Sequence, residues 1–225
     1  FKKSREPLDI RLGELQRRIR TAGIPVVVVF EGWPAAGVGS VIARILSALD
    51  PRGYKLRTFG EPNQEESLRP PLWRFWLSLP PKGTFAVYDG SWYGSLIEKT
   101  KQDRTRDCQR IRTFERQLTD DGTVIVKFWL HMSKEEQAKR FRRIEKNPTT
   151  AWKVTKADWR RHRRYRAECE RVEHVLQETS TSNAPWTVVP AHDQRYASLH
   201  VVQTLAAALE NALTRKVPRS ALRRE

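Results

Sequence analysis

The sequence predicts an α/β fold, an open parallel sheet covered by helices on both faces in three layers. Short β-branched runs alternate with segments of helical period, the signature of strand-helix-strand units. The first run leads through a small, glycine-rich loop into a helix, and a later run ends in a carboxylate. Ligands of such sheets bind beyond the carboxyl ends of the strands, which places that loop and that carboxylate side by side.

The elements follow in order. Leu8, Leu12, Leu15 and Ile19 recur at spacings of three and four within residues 1–22, an amphipathic N-terminal helix stopped by Gly23. Ile24 to Phe30 is a central strand, and Val41, Ile42, Ile45, Leu46 and Leu49 form a helix after the glycine loop. Tyr54 to Phe59 is a second strand and Leu68 to Leu79 an aromatic-rich helix. Thr84 to Asp89 is the third strand, Ile97 to Leu118 a long polar helix, and Thr123 to Leu130 the fourth strand. Residues 133–180 hold two Lys- and Arg-dense helices, Ser133 to Glu145 and Thr155 to Glu178, and are expected to form a lid module. Trp186 to Val189 is the last strand and Tyr196 to Leu213 the closing helix. The basic end, 214–225, is a tail or the start of a linker. Residues 1–225 are expected to form a single domain.

Composition limits the function. Forty-two Lys and Arg against 26 Asp and Glu leave a net charge of +16 in 225 residues, which predicts a polyanionic partner and salt-sensitive binding. The apolar runs are too short to span a bilayer. Cys108 and Cys169 have no metal-ligand spacing, so neither a disulfide framework nor a zinc site is expected, and a reducing cytoplasm fits. A nucleic-acid module suits the charge, but helix-turn-helix, finger and RNA-binding signatures are missing from the sequence.

The loop carries the chemistry. Gly32 and Gly37 stand at the two glycine positions of G-x-x-x-x-G-K-[ST], between a strand and a helix, where backbone amides and the helix N-terminus can cradle phosphate. The candidate cradle is Gly32, Ala35, Ala36, Gly37, Val38, Gly39 and Ser40, yet position 38 is valine rather than lysine. Asp89, after an apolar strand, is a candidate Mg²⁺ ligand of the Walker B kind or a helix-capping acid. Lys139, Arg140, Arg143, Lys153, Arg160 and Arg164 are candidate polyanion contacts of the lid, or a solvated helix face. Trp73, Phe75 and Trp76 are read as packing residues rather than a base-stacking platform.

Together these residues resemble the polyphosphate kinase 2 family, and most closely one half of its tandem-domain polyphosphate:AMP phosphotransferases. Phe30-Glu31-Gly32-Trp33, Ala35-Ala36-Gly37, Leu49 to Tyr54, Pro71 to Trp76, Asp89 with Ser91-Trp92-Tyr93, Ser133 to Gln137, Lys139-Arg140-Phe141, Trp152-Lys153-Val154 and Ala184 to Val189 carry the likeness. It implies a thymidylate-kinase-like P-loop fold, phosphoryl transfer between inorganic polyphosphate and AMP or ADP, Mg²⁺ as cofactor, and a homo-oligomer or partner domain. The family's loop reads G-x-D-x-x-G-K-G and its Walker B segment D-R-S-W-Y. Here Pro34, Val38 and Gly90 replace the loop Asp, the Lys and the Arg.

Phosphoryl transfer is mostly positioning and charge stabilisation, and one lost donor commonly costs about 2.7 to 4 kcal/mol of transition-state stabilisation. An impaired phosphotransferase is therefore expected. The alternative is a non-catalytic domain that binds polyphosphate or makes subunit contacts within a two-domain protein. Pro34→Asp, Val38→Lys and Gly90→Arg together are expected to recover some transfer.

Overall fold

Val26 to Phe30 are completely buried, which only the middle of a two-sided sheet allows. In the computed structural model, which describes residues 2–96 and 99–216, the run lies in strand β1 (Val26–Gly32). Its parallel neighbours are β3 (Phe85–Asp89) and β4 (Val124–His131), with β2 (Tyr54–Thr58) and β5 (Trp186–Pro190) at the edges. The order is β2-β3-β1-β4-β5. The chain leaves β1 towards one side and crosses to the other after β3, so the topological switch point lies at the carboxyl end of β1.

Side chains alternate between the two faces. Val26, Val28 and Phe30 pack with α1 (Lys2–Ala22), α2 (Val38–Leu46) and α9 (Gln194–Lys216), whereas Val27 and Val29 pack with α5 (Lys101–Asp120) and Val175 of α8 (Tyr165–Thr179). Three layers result, as expected. Short α3 (Gln64–Ser67) and α4 (Trp73–Trp76) precede β3, and α6 (Lys134–Glu145) and α7 (Lys156–Arg163) follow β4.

Several boundaries differ from the sequence reading. The expected helix over Leu68 to Leu79 shrinks to the single turn of α4, because Pro70 and Pro71 lack the amides an earlier helix would need and Pro80 follows closely. The helix expected from Thr155 to Glu178 breaks at Arg164. There the Tyr165 hydroxyl donates to the Met132 carbonyl at 2.6 Å and its ring packs 4.7 Å from that of Trp33. Helix α5 starts at Lys101, capped by Thr100, while Ile97 and Glu98 lie outside the described residues. The tail falls partly within α9, which continues through Lys216; residues 217–225 lie outside the described residues. Phe75 is buried as a packing residue, whereas Trp76 is 46% exposed with one side on Phe114. Among the described residues no helix is long and apolar enough to cross a membrane.

A buried ion pair ties the second face together. Lys127 Nζ donates to Glu115 Oε2 (2.7 Å), Tyr93 Oη (2.9 Å) and the Thr179 carbonyl (2.8 Å), so every ammonium proton is used. Tyr93 Oη and Trp92 Nε1 donate to Glu115 Oε1 at 2.5 and 3.1 Å. Burial pushes the Glu115 carboxyl up and the Lys127 ammonium down, so the pair persists through mutual attraction and complete hydrogen bonding. The network fixes the segment that follows Asp89. Lys127→Met should lower stability by about 3 to 5 kcal/mol, since it strands a buried carboxylate, and replacing Glu115 by Leu as well should restore part of that. Urea unfolding measures both; a single-variant loss below about 1 kcal/mol would contradict the role given to the pair.

Candidate functional site

Gly32 ends β1 because no side chain fits there: a Cβ would lie 2.9 Å from both Cβ and the carbonyl oxygen of Leu130 on β4. The Trp33 amide still donates to that oxygen at 3.1 Å, after which the chain leaves the sheet. Ala35 (φ 66°) and Gly37 (φ 91°) take left-handed conformations, and α2 begins at Val38 with no side-chain cap. A helix leaves its first amides without intrahelical acceptors, so Val38, Gly39 and Ser40 present donors where the helix dipole favours an anion. Free amides at a helix start after a left-handed turn are an arrangement that can accept an anion.

The side chains around it are less complete. Val38 is partly buried against the core and supplies no charge. The Trp33 indole packs among Trp129, His131 and Tyr165, and its Nε1 donates to His131 Nδ1 at 3.2 Å. Burial and nearby His192 lower the His131 pKa, which suits an imidazole accepting that bond. The Pro34 carbonyl accepts from Gln137 Nε2 at 3.4 Å, and Gln137 Oε1 pairs with His162 Nδ1 at 2.8 Å.

Asp89 closes β3 opposite Phe30, half-buried, and its carboxylate has no hydrogen-bonded or cationic partner among the described residues. Burial alone raises its pKa. An unpartnered carboxylate beside an amide cradle fits Mg²⁺, which commonly binds through one or two carboxylates, waters and substrate phosphates. No cluster of three or more His, Cys, Asp or Glu that could enclose an ion exists among the described residues. Asp89 and phosphate oxygens would therefore have to hold the metal together.

Glu31, part of a stretch that carries the family likeness but given no role from the sequence, accepts a 2.7 Å hydrogen bond from Ser91 Oγ across the β1–β3 junction. Desolvation pushes its carboxyl up to about 7, helped by nearby Asp89. An acid ending an otherwise apolar strand was the available signal. Gly90, next to Asp89, has φ 74°, and a Cβ there would meet the Phe59 carbonyl at 2.8 Å. Gly90→Arg, one of the three substitutions expected together to recover some transfer, would therefore meet a backbone conformation suited to glycine, with a carbonyl in the way.

Beyond Asp89 lies a cleft of about 530 Å³ whose walls include Phe59, Arg69, Arg74, Ser91, Lys99 and Arg110. Arg74 lies over the Phe59 and Phe75 rings and bonds Glu66 at 3.2 Å, while Lys99 and Arg110 flank Asp107 at 2.5 and 3.1 Å. Aromatic faces and guanidinium groups together suit a base and a phosphate. Arg74 and Ser91 lie in stretches that carry the family likeness, but no signal in the sequence assigned them a role in a cleft with Phe59, Arg69, Lys99 and Arg110. A cleft of about 570 Å³ opens at the other ends of the strands, around Pro25 and Thr123, away from the loop.

The expected lid contacts divide. Lys139, Arg143, Lys153, Arg160 and Arg164 are exposed. Lys139 has only a distant ion pair with Glu136 (3.9 Å), Lys153 lies over the Trp152 ring, and Arg143, Arg160 and Arg164 have no ion pair among the described residues. Arg140 is the exception and a correction. Its side chain is only 4% exposed, its Nη atoms donate to backbone carbonyls behind the loop and its Nε to Glu136, which leaves no free face for a polyanion.

Two outcomes follow from this geometry. The folded Glu31 carboxyl holds its proton up to about 7, whereas the unfolded one releases it near 4.5, so its contribution to stability falls as pH rises through that window. Glu31→Gln should remove that decline and raise stability at pH 8 by about 3 kcal/mol, read as thermal midpoints at pH 5 and 8. An equal change at both pH values would refute the assignment. Gly90→Ala should destabilise by about 1 to 3 kcal/mol through its strained φ and the Phe59 carbonyl; a neutral substitution would show that the strand end relaxes freely.

The sequence profile described as polyphosphate kinase 2 matches residues 1–217. A polyphosphate:AMP phosphotransferase of Pseudomonas syringae pv. tomato is 40% identical over 211 residues, covering 91% of this chain and 42% of the relative. An AMP/ADP-polyphosphate phosphotransferase of Meiothermus ruber is 34% identical over 210 residues, covering 90% of this chain and 79% of the relative. The crystal structure of a polyphosphate kinase 2 from Pseudomonas aeruginosa superposes with a TM-score of 0.90 at 38% identity, covering 95% of this chain and 47% of that one. That of Arthrobacter aurescens TC1 gives 0.87 at 31% identity, covering 92% and 77%. The chain thus spans less than half the length of the Pseudomonas relatives it matches. With its parallel sheet, amide-lined loop and the match across residues 1–217, the chain belongs to the polyphosphate kinase 2 family.

Proposed function

We propose that this chain binds inorganic polyphosphate at the loop of residues 32–40 and a nucleoside mono- or diphosphate, AMP or ADP, in the neighbouring cleft, with phosphoryl transfer between them slowed. The observation that carries this reading is an amide cradle with intact backbone geometry but no cation at positions 38 and 90. In the transfer, a terminal phosphate oxygen of the nucleotide attacks the end phosphorus of the chain; the anhydride bond breaks, leaving a polyphosphate one unit shorter. Gly37 to Ser40 amides would hold the donor chain, and Arg74 with Arg110 would orient the acceptor. Mg²⁺, held by Asp89 and the phosphates, would supply charge neutralisation. The exposed cations of residues 133–180, acting as a lid, would gather the chain from solution. We place the protein in the cytoplasm, acting as a homo-oligomer or beside a partner domain.

A second reading, a binding-only domain of a longer protein, draws support from Gly90. Its positive φ and the adjacent Phe59 carbonyl oppose the Arg that the family carries there.

Incubation with Mg²⁺, polyphosphate and AMP or ADP should yield little product, while polyphosphate still binds and rising salt weakens it. Turnover equal to that of relatives bearing the loop Lys would overturn the slowed-transfer reading, and failure to bind polyphosphate would remove both. Pro34→Asp with Val38→Lys should raise transfer by about 10- to 100-fold if the site is otherwise sound. Adding Gly90→Arg should bring no further gain; a large gain would show that the strand end can adapt. No transfer from any variant would favour the binding-only reading.

A further inference from the structure

Arg140 lies on α6, a helix with several exposed cations, yet its guanidinium is buried beneath the loop. Nη1 donates to the carbonyls of Ala35 (3.1 Å) and Ala36 (3.2 Å), Nη2 to those of Ala191 (2.5 Å) and His192 (2.9 Å), and Nε to Glu136 Oε1 (2.9 Å). Two connections, β1 to α2 and β5 to α9, are therefore clamped by one side chain. A planar fork with donors in fixed directions can do this; a lysine ammonium offers a single point.

The consequence for the loop follows from peptide geometry. The peptide bonds here are trans, so the C=O and N–H of one unit point in opposite directions. The unit that carries the Ala36 carbonyl also carries the Gly37 amide. Holding that carbonyl on the guanidinium turns the Gly37 N–H to the other side, where the first turn of α2 presents its own free amides. The Ala35 carbonyl, held in the same way, fixes a residue with φ 66°, a conformation that alanine does not adopt without support. Glu136 balances the charge, so geometry rather than a bare cation is what Arg140 contributes.

We propose that Arg140 is a positioning residue of the phosphate loop, which holds the Ala35 and Ala36 carbonyls from behind and so aims the Gly37 amide and the start of α2 at an anion it never touches. The inference rests on the reading of residues 32–40 as a phosphate cradle.

The test is calorimetric titration of the full chain with tripolyphosphate at several salt concentrations, for the native protein, Arg140→Met, Arg140→Lys and Lys139→Ala. Arg140→Met should weaken binding about tenfold and Arg140→Lys about fivefold, in line with losses of residues that orient a ligand-binding group. The slope of log affinity against log salt should stay unchanged for both, because no phosphate contact is lost. A direct contact would lower that slope by about one, as expected if Lys139 meets the chain. Unchanged affinity, or a reduced slope, in the Arg140 variants would overturn the proposal. Should Arg140→Met fail to fold, Arg140→Lys decides. Hydrogen exchange on Arg140→Lys separates positioning from general support: amides of residues 37–40 should exchange faster while those of β1 and β3 keep their protection. Faster exchange throughout the sheet would reduce Arg140 to a structural role and overturn the proposal. If the native protein itself fails to bind tripolyphosphate, the cradle reading falls first, and the inference with it.

Discussion

Where β1 meets β4, Gly32 leaves no room for a side chain beside Leu130, and the position of the loop depends on that approach. Five buried residues draw β1 into the centre of the sheet, and its two neighbours hold it there by hydrogen bonds. The ladder to β4 reaches one residue further, through the Trp33 amide, before the chain turns into α2. Had the strand ended elsewhere, the start of α2 would not stand beside the carboxyl end of β3, where Asp89 lies. Hydrophobic burial thus fixes the site indirectly, by fixing which strand is central.

Binding and transfer place different demands on this site. An arrangement of backbone amides depends on φ and ψ rather than on side chains, so a valine at position 38 is compatible with it. Charge stabilisation of a transferring phosphoryl group would depend on particular side chains, and position 38 supplies no charge. The cations of the chain are plentiful, but they lie around the site rather than at its centre. Among the described residues, Lys139, Arg143, Lys153, Arg160 and Arg164 are exposed, Arg74, Lys99 and Arg110 of the cleft pair with Glu66 or Asp107, and Arg140 is buried behind the loop. A net charge of +16 therefore speaks for attraction of a polyanion and says little about turnover.

The helices after β4 are joined to the loop at several points. Tyr165 packs on Trp33, Gln137 reaches the Pro34 carbonyl and is itself held by His162, and Arg140 holds the next two carbonyls. A change in these helices would reach the loop through packed rings and hydrogen bonds with defined geometry. On the other face, the Lys127–Glu115 network anchors Trp92 and Tyr93, and Ser91 beside them holds Glu31. The loop of residues 32–40 and the end of β3 are therefore both fastened to buried polar groups whose partners come from distant parts of the chain.

Much of this was legible in the sequence, and the reason is locality. Four valines in a row specify a doubly buried strand, glycines after it specify a loop, and an apolar run ending at Asp89 places an acid at a strand end; each signal lies within about ten residues. The parallel sheet and its three layers followed from the same alternation, whereas the strand order β2-β3-β1-β4-β5 came only from the structure. Tertiary structure decided what depends on distant partners. Arg140 reads as one more cation on a basic helix until four carbonyls from two other connections surround it. Lys127 reads as a polar interruption in a strand until Glu115 and Tyr93 meet it. The prolines that shorten the segment before β3 were visible, but the break of the basic helix at Arg164, next to the Tyr165 that packs on Trp33, was not, because a contact between residues 33 and 165 leaves no trace in local periodicity. Burial and hydrogen bonding turn a residue type into a role, and both are properties of neighbours that only the folded chain brings together.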